Sequence, residues 1–102
     1  MTQLEKFKLT LGFKNNLKDD DLTLILEDAT TDVLIWTNRK ELPAQLESVV
    51  RQIATIRYNM QGIEGQNSHS EGGISRSFDE LPGSIQKTLT QFRLLKAARY
   101  AT

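Results

Sequence analysis

The chain of 102 residues contains no cysteine. This absence excludes disulfide bonds, thiolate metal sites and cysteine nucleophiles. No run approaches the ~20 apolar residues of a membrane-spanning helix. The first residues, MTQLEKFKLTLGFKNN, are charged throughout and lack the apolar core of a signal peptide. We therefore expect a protein made in the cytoplasm, and the length predicts a single domain over residues 1–102.

Residues that carry chemistry are also scarce. The single histidine, His69, lies between two serines in a glycine-rich stretch, with no visible partner to orient it as a base. The three aspartates at 19–21 lack the glycine and distal glutamate of a calcium loop and fit the start of a helix better. The glycines of residues 62–73 match neither a phosphate-binding loop nor a dinucleotide fingerprint. We predict no enzyme, no metal and no cofactor.

The charge of the chain is balanced overall but unevenly placed. The formal net charge is zero, yet residues 82–102 carry four basic groups and no acidic one. One interpretation is a helix end that complements its own dipole. The other is a surface that docks onto an acidic partner, and the two are compatible. A generic nucleic-acid binder would be more basic overall.

Apolar periodicity predicts an all-α fold, a small bundle of about four helices. The expected helices span residues 3–12, 19–37, 43–61 and 82–97. The second and third should pack as a central antiparallel pair, because the link between them is short. Their predicted core stripes are Leu22, Ile25, Leu26, Ala29 and Val33 on the second helix, and Leu46, Val49, Ile53, Ile56 and Met60 on the third.

Local signals set the expected helix ends. Gly12 is placed to cap the first helix, residues 38–40 to end the second, and Gly62 to stop the third. Pro43 and Pro82 suit the first turns of the third and fourth helices. The spacing of Trp36 from Ala29 and Val33 favours a position at the edge of the core. The alternative is an exposed anchor at an interface.

The connection over residues 61–81 is the most unusual segment of the chain. Neighbouring helices are usually joined by two to eight residues, whereas this loop has about twenty. Within it, Ile74, Arg76 and Phe78 alternate with serines at the period of a strand. A short strand in a helical protein has no local partner, so we expect residues 70–78 to become ordered against another chain. The last residues, 97–102, are expected to form a flexible tail.

The order of these segments resembles a known family. Thr37-Asn38-Arg39 precedes Leu42-Pro43, the loop carries SEGGISRSF, and DELPGSIQKTLTQFRLLK follows. In this order and spacing, over nearly the whole chain, they resemble the head–tail connector family of tailed bacteriophages, also called adaptor or head completion proteins.

The resemblance implies a structural protein of the virion, made in the bacterial host cytoplasm and placed at the head–tail interface. Such a protein forms a ring of about a dozen identical copies beneath the portal. The ring extends the DNA channel and joins the head to tail components. The implied partners are further copies of the chain, the portal protein, and a downstream connector, stopper or tail protein. Genomic DNA would pass through without sequence-specific binding, and no membrane is involved.

The assembly contacts are expected in two places, the strand-like part of the loop and the residues that follow the fourth helix. Some family members dock with the portal through a C-terminal extension, whereas here only residues 96–102 are available. The predicted partner-binding residues are Glu71, Gly72, Gly73, Ile74, Ser75, Arg76, Ser77, Phe78, Lys96, Arg99 and Tyr100.

The alternative prediction is a small helical nucleic-acid-binding regulator. It requires a recognition helix with exposed polar and basic side chains. The fourth helix is the only candidate, with Gln86, Lys87, Gln91, Arg93 and Lys96.

Overall fold

The computed structural model describes residues 1–64 and 78–94 of the chain. In these residues the regular structure is entirely helical, and no strand is present. The predicted all-α class is therefore confirmed. None of the helices found there combines the length and the apolar character that crossing a membrane requires. The α-helices are α1 (Gln3–Leu11), α2 (Asp19–Thr37), α3 (Glu47–Glu64) and α4 (Gly83–Phe92), and the 3-10 turns Ala44–Leu46 and Phe78–Glu80 precede α3 and α4.

Helix α1 is closed at both ends by its own sequence. The amide of Glu5 donates to Thr2 Oγ1 at 3.1 Å, and the amide of Thr2 donates to Glu5 Oε1 at 2.8 Å. This capping box satisfies two of the free amide groups that every helix start leaves. At the other end, Gly12 takes the left-handed conformation with φ 86°. The predicted glycine cap is confirmed.

The core lies where α2 faces α3, with α1 and α4 covering this pair. Every member of the predicted α2 stripe is buried, and so are Leu46, Val49 and Ile53 of the α3 stripe. Ile56 and Met60 are half-buried. Val50, which follows Val49 and is outside the predicted stripe, is fully buried. Among residues 1–61 and 78–94, the buried apolar residues are Phe7, Leu22, Ile25, Leu26, Ala29, Val33, Leu46, Val49, Val50, Ile53, Ala54, Leu81, Ile85 and Leu89.

One ion pair joins the two central helices. Arg57 Nη2 of α3 lies 2.6 Å from Asp32 Oδ2 of α2, and Arg57 is only 8% exposed. Asp32 precedes the connection between α2 and α3, and Arg57 follows it. That register is the one expected of two antiparallel helices joined by a short link.

Three predicted helix boundaries are wrong. Helix α3 runs through Gly62 to Glu64, since a lone glycine weakens a helix by about 1 kcal/mol but keeps its backbone hydrogen bond. Its start is later than predicted, because Pro43 is extended and a 3-10 turn comes first. Helix α4 ends at Phe92 and not at residue 97, because the amide of Leu94 bonds to another helix, as described below.

The start of α2 also differs in detail. Its N-cap is Lys18, which makes no side-chain cap, so the aspartates at 19–21 are first-turn acids only. Such acids favour the positive end of the helix dipole. Lys8 Nζ of α1 lies 2.8 Å from Asp19 Oδ1 and forms an ion pair with it. The same Nζ donates a hydrogen bond to Asn16 Oδ1 at 2.8 Å. These contacts hold the start of α2 against the end of α1.

Candidate partner-binding site

The C-terminal end of α2 is built as a sharp stop. Asn38 adopts the left-handed conformation with φ 58°, the only positive φ of a non-glycine residue in the described part of the chain. Its amide donates to the carbonyl of Ile35 at 3.2 Å, and the amide of Arg39 donates to Leu34 at 3.0 Å. This pair of bonds is a Schellman motif, in which asparagine is the usual substitute for glycine. It confirms that residues 38–40 end the helix.

The residues that stop α2 also hold the residues that follow α4. The amide of Leu94 donates to the carbonyl oxygen of Thr37 at 2.9 Å. Asn38 Nδ2 donates to the carbonyl oxygen of Leu94 at 2.9 Å. Arg93 between these elements is extended, with φ −73° and ψ 131°. Leu94 is therefore fixed through both its amide and its carbonyl, and α4 cannot continue.

Arg39 makes a third contact with the C-terminal end of α4. Its Nε donates to the carbonyl oxygen of Phe92 at 2.8 Å. Its guanidinium carbon also lies 5.9 Å from the centre of the Phe92 ring, at the outer range of a cation–π contact. We call Thr37, Asn38 and Arg39 the α2 clamp.

The residue just before the α2 clamp contacts the other predicted assembly segment. The ring of Trp36 meets the ring of Phe78 edge to face, with centroids 5.8 Å apart and planes at 74°. Both residues are half-buried and pack against the core. The core-edge position predicted for Trp36 is thereby confirmed.

These contacts hold Phe78 and Leu94, the described residues nearest to the two predicted assembly segments, at the same end of α2. Phe78 is the first residue of the loop that the structure describes after residue 64, and Leu94 is the last described residue before the C-terminal segment. One is held by Trp36 and the other by Thr37 and Asn38. Phe78 and Leu94 therefore lie at one end of the molecule, on three consecutive residues of α2 and its cap.

Among the predicted partner-binding residues, Phe78 is the one that the structure describes. It begins the 3-10 turn Phe78–Glu80, so the predicted strand does not extend to this residue. The reason is tertiary: its ring packs on Trp36 in place of alternating outward along a strand. The others, Glu71, Gly72, Gly73, Ile74, Ser75, Arg76, Ser77, Lys96, Arg99 and Tyr100, lie outside the described residues.

The described surface offers little chemistry. In residues 1–64 and 78–94, no three His, Cys, Asp or Glu side chains lie close enough together to hold a metal ion. The α2 clamp uses main-chain carbonyls, one amide and one guanidinium. Such groups bind and position chain segments, and they supply neither a general base nor a nucleophile.

The chain matches a protein-family model over most of its length. The model of the phage gp6-like head-tail connector protein family matches residues 1–93. This chain belongs to that family. The match spans α1 to α4 and includes the α2 clamp and Phe78. No match was found among curated proteins or among solved structures.

Family membership establishes the general role of the protein. It is a structural head–tail connector and a component of the phage virion. The resemblance drawn from the loop and the Thr37-Asn38-Arg39 segment is confirmed. Apart from that resemblance, local signals predict for Asn38 and Arg39 only the end of a helix. Their contacts with Phe92 and Leu94 join positions far apart in the chain, and no local pattern signals such a pairing.

Proposed function

We propose that the protein forms a ring of about a dozen copies beneath the portal, through head-to-tail contacts between identical subunits. The ring extends the DNA channel and offers a surface to the next connector, stopper or tail protein. The observation that carries this proposal is the position of Phe78 and Leu94 at one end of the subunit, on Trp36 and the α2 clamp. A single end can then present both segments to a neighbour or to the portal.

The loop residues 70–77 supply one set of contacts in this proposal. Ordering a residue costs about 1–2 kcal/mol of backbone entropy, which main-chain pairing and burial of Ile74 must offset. The contact between Phe78 and Trp36 lowers this cost, because one end of the segment is already fixed on the subunit. Strand-like pairing with an adjacent chain fits the alternating pattern of the segment.

The C-terminal residues supply the second set. Lys96, Arg99 and Tyr100 follow directly after Leu94, whose position the α2 clamp fixes. A fixed starting point reduces the conformational freedom that the segment loses on binding, which favours affinity. We assign these three residues to contacts with the portal.

Balanced charge suits a ring through which DNA moves. The formal net charge of the chain is zero. Each phosphate neutralised by a lysine or arginine adds affinity for DNA, and many such contacts would hold the duplex in place. A subunit without a large positive excess lets the genome pass without sequence-specific binding.

A portal-binding assay tests the proposal. The chain is mixed with purified portal, and the complexes are examined by size-exclusion chromatography and negative-stain electron microscopy. Ile74→Asp should abolish the complex, because a carboxylate cannot be buried in the strand-like contact without a partner. Leu17→Asp is the matched control, since Leu17 is 88% exposed in the α1–α2 connection, and it should bind normally. Normal binding by Ile74→Asp would contradict the assignment of the loop.

The alternative of a nucleic-acid-binding regulator finds less support. Helix α4 has ten residues and carries one basic residue, Lys87. Gln86 is not free to contact bases, because its Nε2 donates to the carbonyl of Leu81 at 2.8 Å. A recognition helix needs several side chains directed at the groove. A mobility-shift assay at moderate salt should therefore show no specific complex with DNA.

A further inference from the structure

One face of α2 is directed away from the bundle. At about 100° per residue, Leu24, Thr31 and Ile35 fall within an arc of about 40°. Leu24 is 58% exposed and Ile35 is 64% exposed. These two aliphatic side chains share one side of the helix and lie about 16 Å apart along it. We call this surface, with the exposed acids beside it, the outer face of α2: Asp20, Asp21, Leu24, Glu27, Asp28, Thr31 and Ile35.

The outer face of α2 is strongly acidic. The helix contains six acidic residues and no basic one. Asp19 and Asp32 are paired with Lys8 and Arg57 within the subunit. In contrast, over residues 1–64 and 78–94, none of the four outer carboxylates lies within 4.0 Å of a cationic nitrogen. The face therefore combines exposed aliphatic groups with negative charge that these residues do not neutralise.

A surface of opposite charge lies at the other end of the sequence. Residues 82–102 carry four basic groups and no acidic one. Two of the four, Lys87 and Arg93, are in the described part and are exposed. Next to Arg93, Leu94 is 47% exposed. We call Lys87, Arg93 and Leu94 the basic surface.

Within one subunit, α4 and the outer face lie on different sides of α2. Helix α2 packs against α1, α3 and α4 through its buried stripe, and the outer face lies on the opposite side of the helix. Helix α4 is thus on the wrong side of α2 to place Lys87 against Glu27 or Asp28 of the same chain. Within the described residues, neither Lys87 nor Arg93 makes an ion pair.

We propose that the outer face of α2 binds the basic surface of a second copy of the chain. The contact joins two different surfaces, so it is head-to-tail and can be repeated from subunit to subunit. Opposite charge steers the encounter and sets the register, while Leu24, Ile35 and Leu94 supply apolar area. The inference rests on the proposed ring, for which it names the surfaces that meet.

Zero-length cross-linking tests the contact, because a carbodiimide joins a carboxylate to an amine only when the two touch. Isotopically light and heavy wild-type chains are mixed at low salt, with and without portal. Cross-links between Lys87 and Glu27 or Asp28 should include pairs of one light and one heavy peptide. The yield should fall as salt is raised, since exposed charges are screened. Cross-links confined to peptides of equal label, or none in either condition, would overturn the inference.

Charge reversal gives a second, independent test. Glu27→Lys with Asp28→Lys makes both surfaces basic, and Lys87→Glu with Arg93→Glu makes both acidic. In sedimentation velocity without cross-linker, each variant alone should lose oligomers by about tenfold or more, because like charges then face each other. Mixing the two variants should restore them, since opposite charges again meet at every contact. Glu41→Lys and Lys14→Glu are exposed controls on other surfaces and should behave as wild type.

The outcomes separate the inference from the proposed function. Restoration in a chain that carries all four substitutions, but not in the mixture of variants, would place the pairing within one chain and overturn the inference. Portal rings that form equally well with every variant would also overturn it, while leaving the proposed function intact. Cross-links in free solution without any binding to portal would support the contact and contradict the proposed function. Helix content and thermal midpoints of all variants are measured to confirm folding.

Discussion

The amide of Leu94 donates a hydrogen bond to the carbonyl oxygen of Thr37 at 2.9 Å, across the gap between α4 and α2. Asn38 completes the link by bonding to the carbonyl of Leu94, 56 positions further along the chain. The C-terminal end of α2 thus fixes the position of the residue that follows α4. Phe78, before α4, packs on Trp36 next to this link. The residues on either side of α4 are therefore held by the same end of α2.

The two roles of Asn38 can be separated by substitution. Asn38→Gly keeps the left-handed conformation but loses the bond to Leu94, and it should cost ~0.5–1.5 kcal/mol of unfolding free energy. Asn38→Ala loses the bond and also strains the backbone, so we expect it to cost about 1 kcal/mol more. Urea unfolding of both variants measures the difference. Equal stability of the two variants would show that the left-handed conformation at position 38 imposes no measurable energetic cost on alanine.

The contact between Trp36 and Phe78 can be followed by fluorescence, because Trp36 is the only tryptophan. Phe78→Leu should remove an aromatic pair worth ~0.5–1.5 kcal/mol and shift the emission of Trp36 to longer wavelength as water reaches the ring. Phe13→Leu is the matched control, because Phe13 makes a similar edge-to-face contact with Tyr58 at 5.9 Å. It should leave the emission unchanged. An unshifted spectrum in Phe78→Leu would contradict the contact.

The ion pair between Asp32 and Arg57 predicts non-additive energetics. Asp32→Ala leaves a guanidinium that is 8% exposed without its partner and should cost about 1–3 kcal/mol, less than a fully buried pair because Asp32 is partly in water. Adding Arg57→Met should recover part of the loss, since the lone charge is removed. A double-mutant cycle in denaturant measures the coupling. Additive effects, within about 0.5 kcal/mol, would show that the pair contributes little.

Ile53 tests the predicted core between α2 and α3. It is fully buried, so Ile53→Ala should lower the unfolding free energy by ~2–5 kcal/mol. Its neighbour Gln52 is exposed, and Gln52→Ala should stay within about 0.5 kcal/mol of wild type. A loss below about 1 kcal/mol for Ile53→Ala in urea would place this residue outside the core.

Much of the fold could be predicted from local patterns. The α2 stripe and the caps at Gly12 and Asn38 follow from helical spacing and from residues that tolerate positive φ. The errors arose where tertiary contacts override local preference. Helix α4 has an apolar pattern that continues through Leu95, yet it ends at Phe92 because Leu94 pairs with Thr37.

The candidate site was only partly predictable. The loop and the C-terminal segment stood out by composition and charge, but their common support at Trp36 and the α2 clamp joins residues distant in sequence. Phe78 illustrates the limit, since its alternation with Ser75 and Ser77 predicted a strand and its ring instead packs on a helix. Such contacts depend on how the helices pack against each other. The strand period of two residues and the helix period of 3.6 carry no information about that packing.

The central claim is that both segments supported by this end of the subunit form contacts in the assembled connector. Hydrogen exchange of the free subunit and of the portal-bound ring tests it most directly. Amides of residues 70–77 and 95–102 should gain protection on assembly. The amide of Leu94, bonded to Thr37 within the subunit, should be protected in both states. Equal protection of residues 70–77 in the two states would show that they make no assembly contact and would contradict the account.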